Sequence, residues 1–240
     1  MAVLHKLCAK YPHLSTVIGP CASLVAQLRE SLACPDGPYE LETRLGHSQS
    51  HGFATGVARE TMDAIIEMMQ SSPYVSGDDE WTECQDFLYT HNNIPHRTRV
   101  LYNTDDMSTQ STTIVKESIR KLDVGTNNGS DIRVSLKKEV EVPSPETCVA
   151  TNLVRIKQQR RFKTLDKVWS FDFALVWSGR TKTEAEEMQC TKDPEFEIEC
   201  ELIDPAPYLA VHDDAYVATS LLLKMCDLLG PAKGDFWVKA

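Results

Sequence analysis

Glu195, Glu197, Glu199 and Glu201 alternate with Phe196, Ile198, Cys200 and Leu202 in the stretch PEFEIECELID. A strand sends successive side chains to opposite faces, so the four carboxylates share one face and the apolar residues the other. Same-face neighbours lie roughly 7 Å apart, and four ionised groups in a row repel unless positive charge lies over them. A second acidic alternation occurs in YELETRLG, where Glu40, Glu42 and Arg44 share a parity opposite Leu41, Thr43 and Leu45. Between these two segments the polar faces turn basic. DIRVSLKKEVEV carries Arg133, Ser135, Lys137, Glu139 and Glu141 on one face, and LVRIKQQRRF carries Arg155, Lys157, Gln159 and Arg161. In SFDFALVW, Asp172 and Ala174 lie between Phe171, Phe173 and Leu175.

A solvated sheet face mixes charge signs, whereas these strands hold one sign over several positions. Facing inward in a closed barrel, the outer strands would gather carboxylates and the middle strands cations. Clustered carboxylates bind a hard divalent cation such as Mg²⁺ or Mn²⁺. Clustered Arg and Lys take phosphate oxygens, Arg as a fork and Lys as a point charge. Together they suit phosphoryl transfer, in which charge stabilisation and alignment of the nucleophile carry catalysis. Spacing alone leaves a phosphohydrolase and a phosphate-binding module both open.

The elements needed to position these residues are legible in outline. Residues 80 to 203 read almost entirely as short antiparallel strands and turns: EWTECQDFLYT, RTRVLYN, TTIVKESI, DIRVSLKKEVEV, LVRIKQQRRF, WSFDFALVW and the acidic stretch. VGTNNGSD marks a hairpin. Helical periodicity covers 14 to 33, interrupted at Pro20, and 57 to 70, with Met62, Ile65, Ile66 and Met69 on one side; a last helix near 213 to 229 stops at Gly230-Pro231. The fold expected is mainly β (α+β): an eight-stranded antiparallel β-barrel tunnel with flanking helices, closed because closure removes sheet edges. Residues 1–240 are expected to form one catalytic domain, with 1–35 a helical N-terminal segment.

The chain has 240 residues, a net charge of −10 and a pI of about 5.2, which argues against nonspecific coating of nucleic acid and requires positive charge to be focused locally. Eight cysteines without a CxxC pair read as reduced intracellular thiols. No run of eighteen apolar residues and no secretory leader are visible, so no membrane is expected as a partner. His47 and His51 sit among Gly and Ser and read as loop residues, not a zinc pair. Trp81, Trp169, Trp177 and Trp237 read as packing residues, and Arg160 and Lys163 as outward-facing.

On the two acidic segments, ELETR and EFEIECELI, with the basic strands between them, the chain resembles the triphosphate tunnel metalloenzymes. More closely it resembles their fungal and protozoal branch, the metal-dependent mRNA 5′-triphosphatases of cap synthesis, with a compact length similar to the kinetoplastid members. The likeness runs in order from about residue 39 to 229. It implies hydrolysis of the γ-phosphate of triphosphate-ended RNA to a diphosphate end, with Mg or Mn as cofactor. By resemblance Glu40, Glu42 and Glu201 hold the metal, Glu199 holds the attacking water and Glu197 orders the tunnel-floor cations. Arg99, Lys116, Arg133, Arg155, Lys157 and Arg161 would contact phosphate, with Lys116, Arg133 and Lys157 counted as catalytic. Asp172 would orient a neighbouring cation and also belong to the catalytic set. Two departures stand out: Ser118 where the family often has arginine, and Gln159 at the third position of an Arg-x-Lys-x-Arg pattern, with Arg161 the substitute. Nucleoside triphosphates, inorganic tripolyphosphate and thiamine triphosphate are the alternative substrates in the same fold. A non-catalytic subunit binding triphosphate RNA is the alternative from another class. No Lys-x-Asp-Gly motif is present, so a separate guanylyltransferase is the expected partner. The expected location is the nucleus, with the cytoplasm as a second site.

Overall fold

The computed structural model describes residues 14–33, 37–78, 80–102, 108–126, 129–144 and 150–230, and the backbone of 236–238. Eight strands close into an antiparallel barrel: β1 (Tyr39–Gln49), β4 (Thr82–His91), β5 (Ile94–Tyr102), β6 (Thr109–Thr126), β7 (Asp131–Val142), β8 (Leu153–Thr164), β9 (Trp169–Gly179) and β10 (Glu195–Leu202). They run β10-β9-β8-β4-β5-β6-β7-β1, and β1 pairs back onto β10 through Glu42↔Glu201 and Arg44↔Glu199. Three short strands attach to the outside: β2 (Gly52–Thr55) to β1, β3 (Val75–Gly77) to β8 and β11 (Phe236–Val238) to β6. The helices are α1 (Ser15–Leu32), α2 (Arg59–Ser71), α3 (Lys182–Thr191), α4 (Pro205–Val211) and α5 (Asp214–Leu228).

The barrel is inside-out in polarity. Leu41, Leu45, Val134, Leu136, Phe171, Phe173, Ile198 and Cys200 point outward and are buried beneath helices, while the alternate, charged positions point inward. Helix α1 buries Val17, Cys21, Leu24, Val25 and Leu28, at helical spacing, against α5 and the outer face of β1. It runs unbroken through Pro20, contrary to the expected interruption. Pro20 lies early in the helix and forfeits a single N–H bond, which that apolar stripe offsets.

Three further expectations change. The strand expected at 112–119 is the 18-residue β6, with a register shift between Ser118 and Arg120. The shift flips the inward parity, so alternation fails although the strand continues. Helix α3 lies in a stretch expected to hold strands and turns; only Ala185 is buried on it, so its amphipathic signal is weak. His47 belongs to β1, which continues to Gln49 and pairs with β2, so it is not a loop residue. Trp169 and Trp177 pack as expected, whereas Trp81, just before β4, is 36% exposed. Trp237's side chain, residues 34–36 of the CPDGP turn and residues 127–128 of the β6–β7 hairpin lie outside the described residues. The β4–β5 hairpin turns on Asn92 and Asn93, at φ 51° and 62°. That pair is the φ signature of a two-residue type I′ turn, which Asn tolerates.

Candidate active site

The inward residues of the barrel line a cavity of about 500 Å³. Eight arginines and lysines and six carboxylates face it, with Glu42 and Glu197 buried in the wall just behind. Charges this dense survive burial only by pairing.

Glu42 is 1% exposed and lies at the centre of the largest cluster. Its carboxylate accepts from Lys137 Nζ and from Arg44 Nε at 2.9 Å, and Lys116 Nζ lies at 3.8 Å. Burial pushes the Glu42 carboxyl up, but Arg44, Lys137 and Lys116 together outweigh it and hold it down to about 2. Lys116 also pairs with Glu40 at 2.7 Å and with Glu139, so one ammonium bridges carboxylates from β1 and β7. Arg44 reaches across to Glu199 at 3.1 Å.

Glu197 (3% exposed) accepts from Arg155 at 2.6 Å and from Thr55 Oγ1 at 3.1 Å, with Lys157 Nζ at 3.7 Å. Lys157 lies equally close, 3.7 Å, to Asp86. Asp86 (1% exposed) holds Arg99 by a two-pronged fork at 2.7 and 2.8 Å. Burial raises the Asp86 carboxyl, yet the bonds from Arg99 and the charge of Lys157 carry it down to about 2. Arg161 and Asp172 form a similar fork at the cavity's edge, at 2.5 and 3.0 Å. Gln159 lines the cavity and accepts from Cys84 Sγ.

Glu201 is the exception among the acids. Burial, then the neighbouring charges of Glu40, Asp172 and Glu42, push its carboxyl up to about 8, against a smaller opposing effect of Arg161. It makes no ion pair among the described residues. Three glutamates on two registered strands, one of them uncompensated, are hard oxygen donors of the kind Mg²⁺ or Mn²⁺ takes. The donor set therefore fits such a cation in chemical type. The side chains as they lie do not converge on one point, because Lys116 stands between Glu40, Glu42 and Glu139; no group of three metal-binding side chains occurs among the described residues.

Of the twelve residues expected at the site, Glu40, Arg99, Lys116, Arg155, Lys157, Arg161, Asp172, Glu199 and Glu201 line the cavity, and Glu42 and Glu197 back it. Arg133 does not line it. Its guanidinium forks onto Asp123 at 2.7 Å on both prongs, with the Phe53 ring of β2 4.6 Å away, and Arg133 lies opposite Arg44 in the β1–β7 register. The shift in β6 brings this about: past Ser118 the odd-numbered residues face inward, setting Asp123 opposite Arg133. Sequence reasoning assigned no role to Lys137, Arg44, Arg97 or Asp86, although all four line the cavity. Lys137 is signalled by its parity with Arg133 and Glu139, and Asp86 by an acid on the same parity as Cys84 and Leu88.

No family model and no curated protein matches the sequence. Solved structures do match. The S. pombe Pct1 RNA triphosphatase aligns with a TM-score of 0.63 at 15% identity, over 88% of this chain and 91% of that one. The same protein in complex with the Spt5 CTD gives 0.64 at 16% identity, over 88% and 92%. The mimivirus capping enzyme triphosphatase gives 0.58 at 15% identity, over 88% and 97%. At these identities the likeness is one of architecture: the chain has the closed-barrel fold of these RNA triphosphatases.

Proposed function

We propose that the chain is a metal-dependent RNA 5′-triphosphatase that removes the γ-phosphate of triphosphate-ended RNA, as a member of the triphosphate tunnel family it resembles in sequence pattern. The observation that supports this best is the paired-charge cavity itself: eight cations for phosphate oxygens beside three glutamates on adjacent strands. Glu40, Glu42 and Glu201 would hold Mg²⁺ or Mn²⁺, which when bound supplies positive charge at a phosphate oxygen. Glu199, tied to Arg44 and facing the cavity, would orient water and accept its proton. Lys116, Arg155 and Lys157 would neutralise the γ- and β-phosphate oxygens, with Glu197 keeping the last two in place. Asp172 fixes Arg161 at the mouth, where Arg161 would contact phosphate in the place of Gln159. Arg133 has no part in this chemistry. Its bond to Asp123 ties β7 to β6. The later capping step would fall to a separate guanylyltransferase, with the nucleus as the place of action.

One observation favours a wider substrate range. No Phe, Tyr or Trp lines the cavity among the described residues, so the interior reads phosphate charge and not a base. Inorganic tripolyphosphate would engage the same groups. The test is release of labelled phosphate from γ-labelled triphosphate RNA, with Mg²⁺ and then Mn²⁺, beside tripolyphosphate and ATP. Release from RNA is expected, falling about 10²-fold or more in Glu40→Ala and Glu201→Ala. No release with either metal, or unchanged turnover in both variants, sinks the assignment.

A further inference from the structure

Strand β5 sends two arginines into the cavity, Arg97 and Arg99, and their surroundings differ sharply. Arg99 lies opposite Asp86 on β4 and Thr112 on β6. The Asp86 fork takes its Nε and one Nη and neutralises its charge. Arg97 lies opposite Leu88 on β4 and Ile114 on β6, neither of which offers a side-chain acceptor. Its Nε is buried without a partner, and it makes no ion pair or hydrogen bond among the described residues. Each of the other seven cavity cations has a carboxylate within ion-pair distance.

A guanidinium does not shed its proton, so it cannot escape burial by becoming neutral. Leaving it unpaired is costly, and two neighbouring strands each place an aliphatic residue where an acid would have relieved it. Arg97 is held ready for an anion that no described residue supplies. The geometry points to Arg97 as the arginine that reads the ligand, binding a polyphosphate oxygen, and to Arg99 as a strut joining β4 and β5 through Asp86. This rests on the triphosphatase reading and reverses the expectation that Arg99 makes the phosphate contact.

The test compares wild type with Arg97→Gln, Arg97→Lys and Arg99→Gln. Thermal stability without ligand is measured together with calorimetric binding of inorganic tripolyphosphate, in EDTA and in Mg²⁺. Arg97→Gln is expected to melt at or above the wild-type temperature and to bind tripolyphosphate about 10- to 100-fold more weakly, the worth of a lost charge-assisted bond. Arg97→Lys should recover part of that affinity, because the charge returns without the fork. Arg99→Gln should melt clearly lower, since it strands Asp86, and lose less affinity than Arg97→Gln. Wild-type affinity in Arg97→Gln, or a ligand-free melting point lowered as far as that of Arg99→Gln, overturns the assignment alone. A wild-type protein that neither binds nor hydrolyses tripolyphosphate or triphosphate RNA overturns the triphosphatase reading and this assignment with it.

Discussion

Glu42→Gln isolates what the central charge cluster contributes to the fold. The substitution keeps shape and removes one charge at a site 1% exposed, leaving Lys137 and Arg44 with a neutral amide in place of their shared carboxylate. Holding the carboxyl at about 2 instead of its ordinary 4.5 corresponds to about 3 kcal/mol at neutral pH. Breaking a buried ion pair from one side costs a similar ~3–5 kcal/mol. Part of the loss is recoverable: burial and Arg44 already lower the pKa of Lys137, and the retained amide oxygen still accepts a hydrogen bond. The expected cost is therefore about 2–3 kcal/mol by urea denaturation at pH 7 in EDTA. The depressed carboxyl fixes the pH dependence. Its contribution is complete above about 4.5 and fades as pH falls through 4.5 towards 2, so wild type and variant should converge in acid. Lys137→Met added to Glu42→Gln should restore part of the loss, and the double-mutant cycle gives the coupling. A Glu42→Gln protein within about 0.5 kcal/mol of wild type at pH 7, or a gap that does not close in acid, would refute the paired-cluster argument.

Glu201 titrates in the opposite sense: the folded protein keeps a proton that the unfolded chain has lost, so it weakens the fold as pH rises from 4.5 towards 8. Glu201→Gln should raise the melting temperature in EDTA at pH 8 more than at pH 5, and should abolish the stabilisation expected of Mg²⁺ in wild type at pH 8; a gap independent of pH would refute it. Thr181 caps α3 by accepting from Glu184 N, and α3 lies on the outer face of β8 and β9, so Thr181→Ala should cost about 1 kcal/mol by urea denaturation and leave phosphate release unchanged.

What could be read from the chain follows its physics. Where a strand alternates cleanly, as in YELETRLG and PEFEIECELID, both the inward face and the strand were legible, because one parity had to be core. Legibility failed where the period was broken. The shift at Ser118 hid half of β6 and with it the Asp123–Arg133 pair, so Arg133 passed for a cavity residue. Helix α3 buries one side chain, and the Thr181-x-x-Glu184 start signal was the clue available. Which inward cation is free could not be read from parity at all. Arg97 and Arg99 share a face, and only the register across β4, which sets Asp86 against one and Leu88 against the other, separates them.

That register makes the cations share their charge between protein and ligand. Lys116 spans Glu40 and Glu139, Arg155 holds Glu197, and Arg161 holds Asp172, so each would meet a phosphate oxygen with its charge already partly neutralised by a carboxylate. The gain per contact is smaller than that of an unpaired cation. Arg97 has no direct ion pair among the described residues to share on binding, so its part of the affinity should exceed that of any single paired cation. The acidic side obeys the same rule in reverse. On the triphosphatase reading, Lys116 and a divalent cation would compete for the oxygens of Glu40 and Glu42, and a lysine displaced from them would be left beside Glu139 facing the cavity where phosphate would lie. Metal and polyphosphate should therefore each strengthen the other's binding, by equal factors as linkage requires.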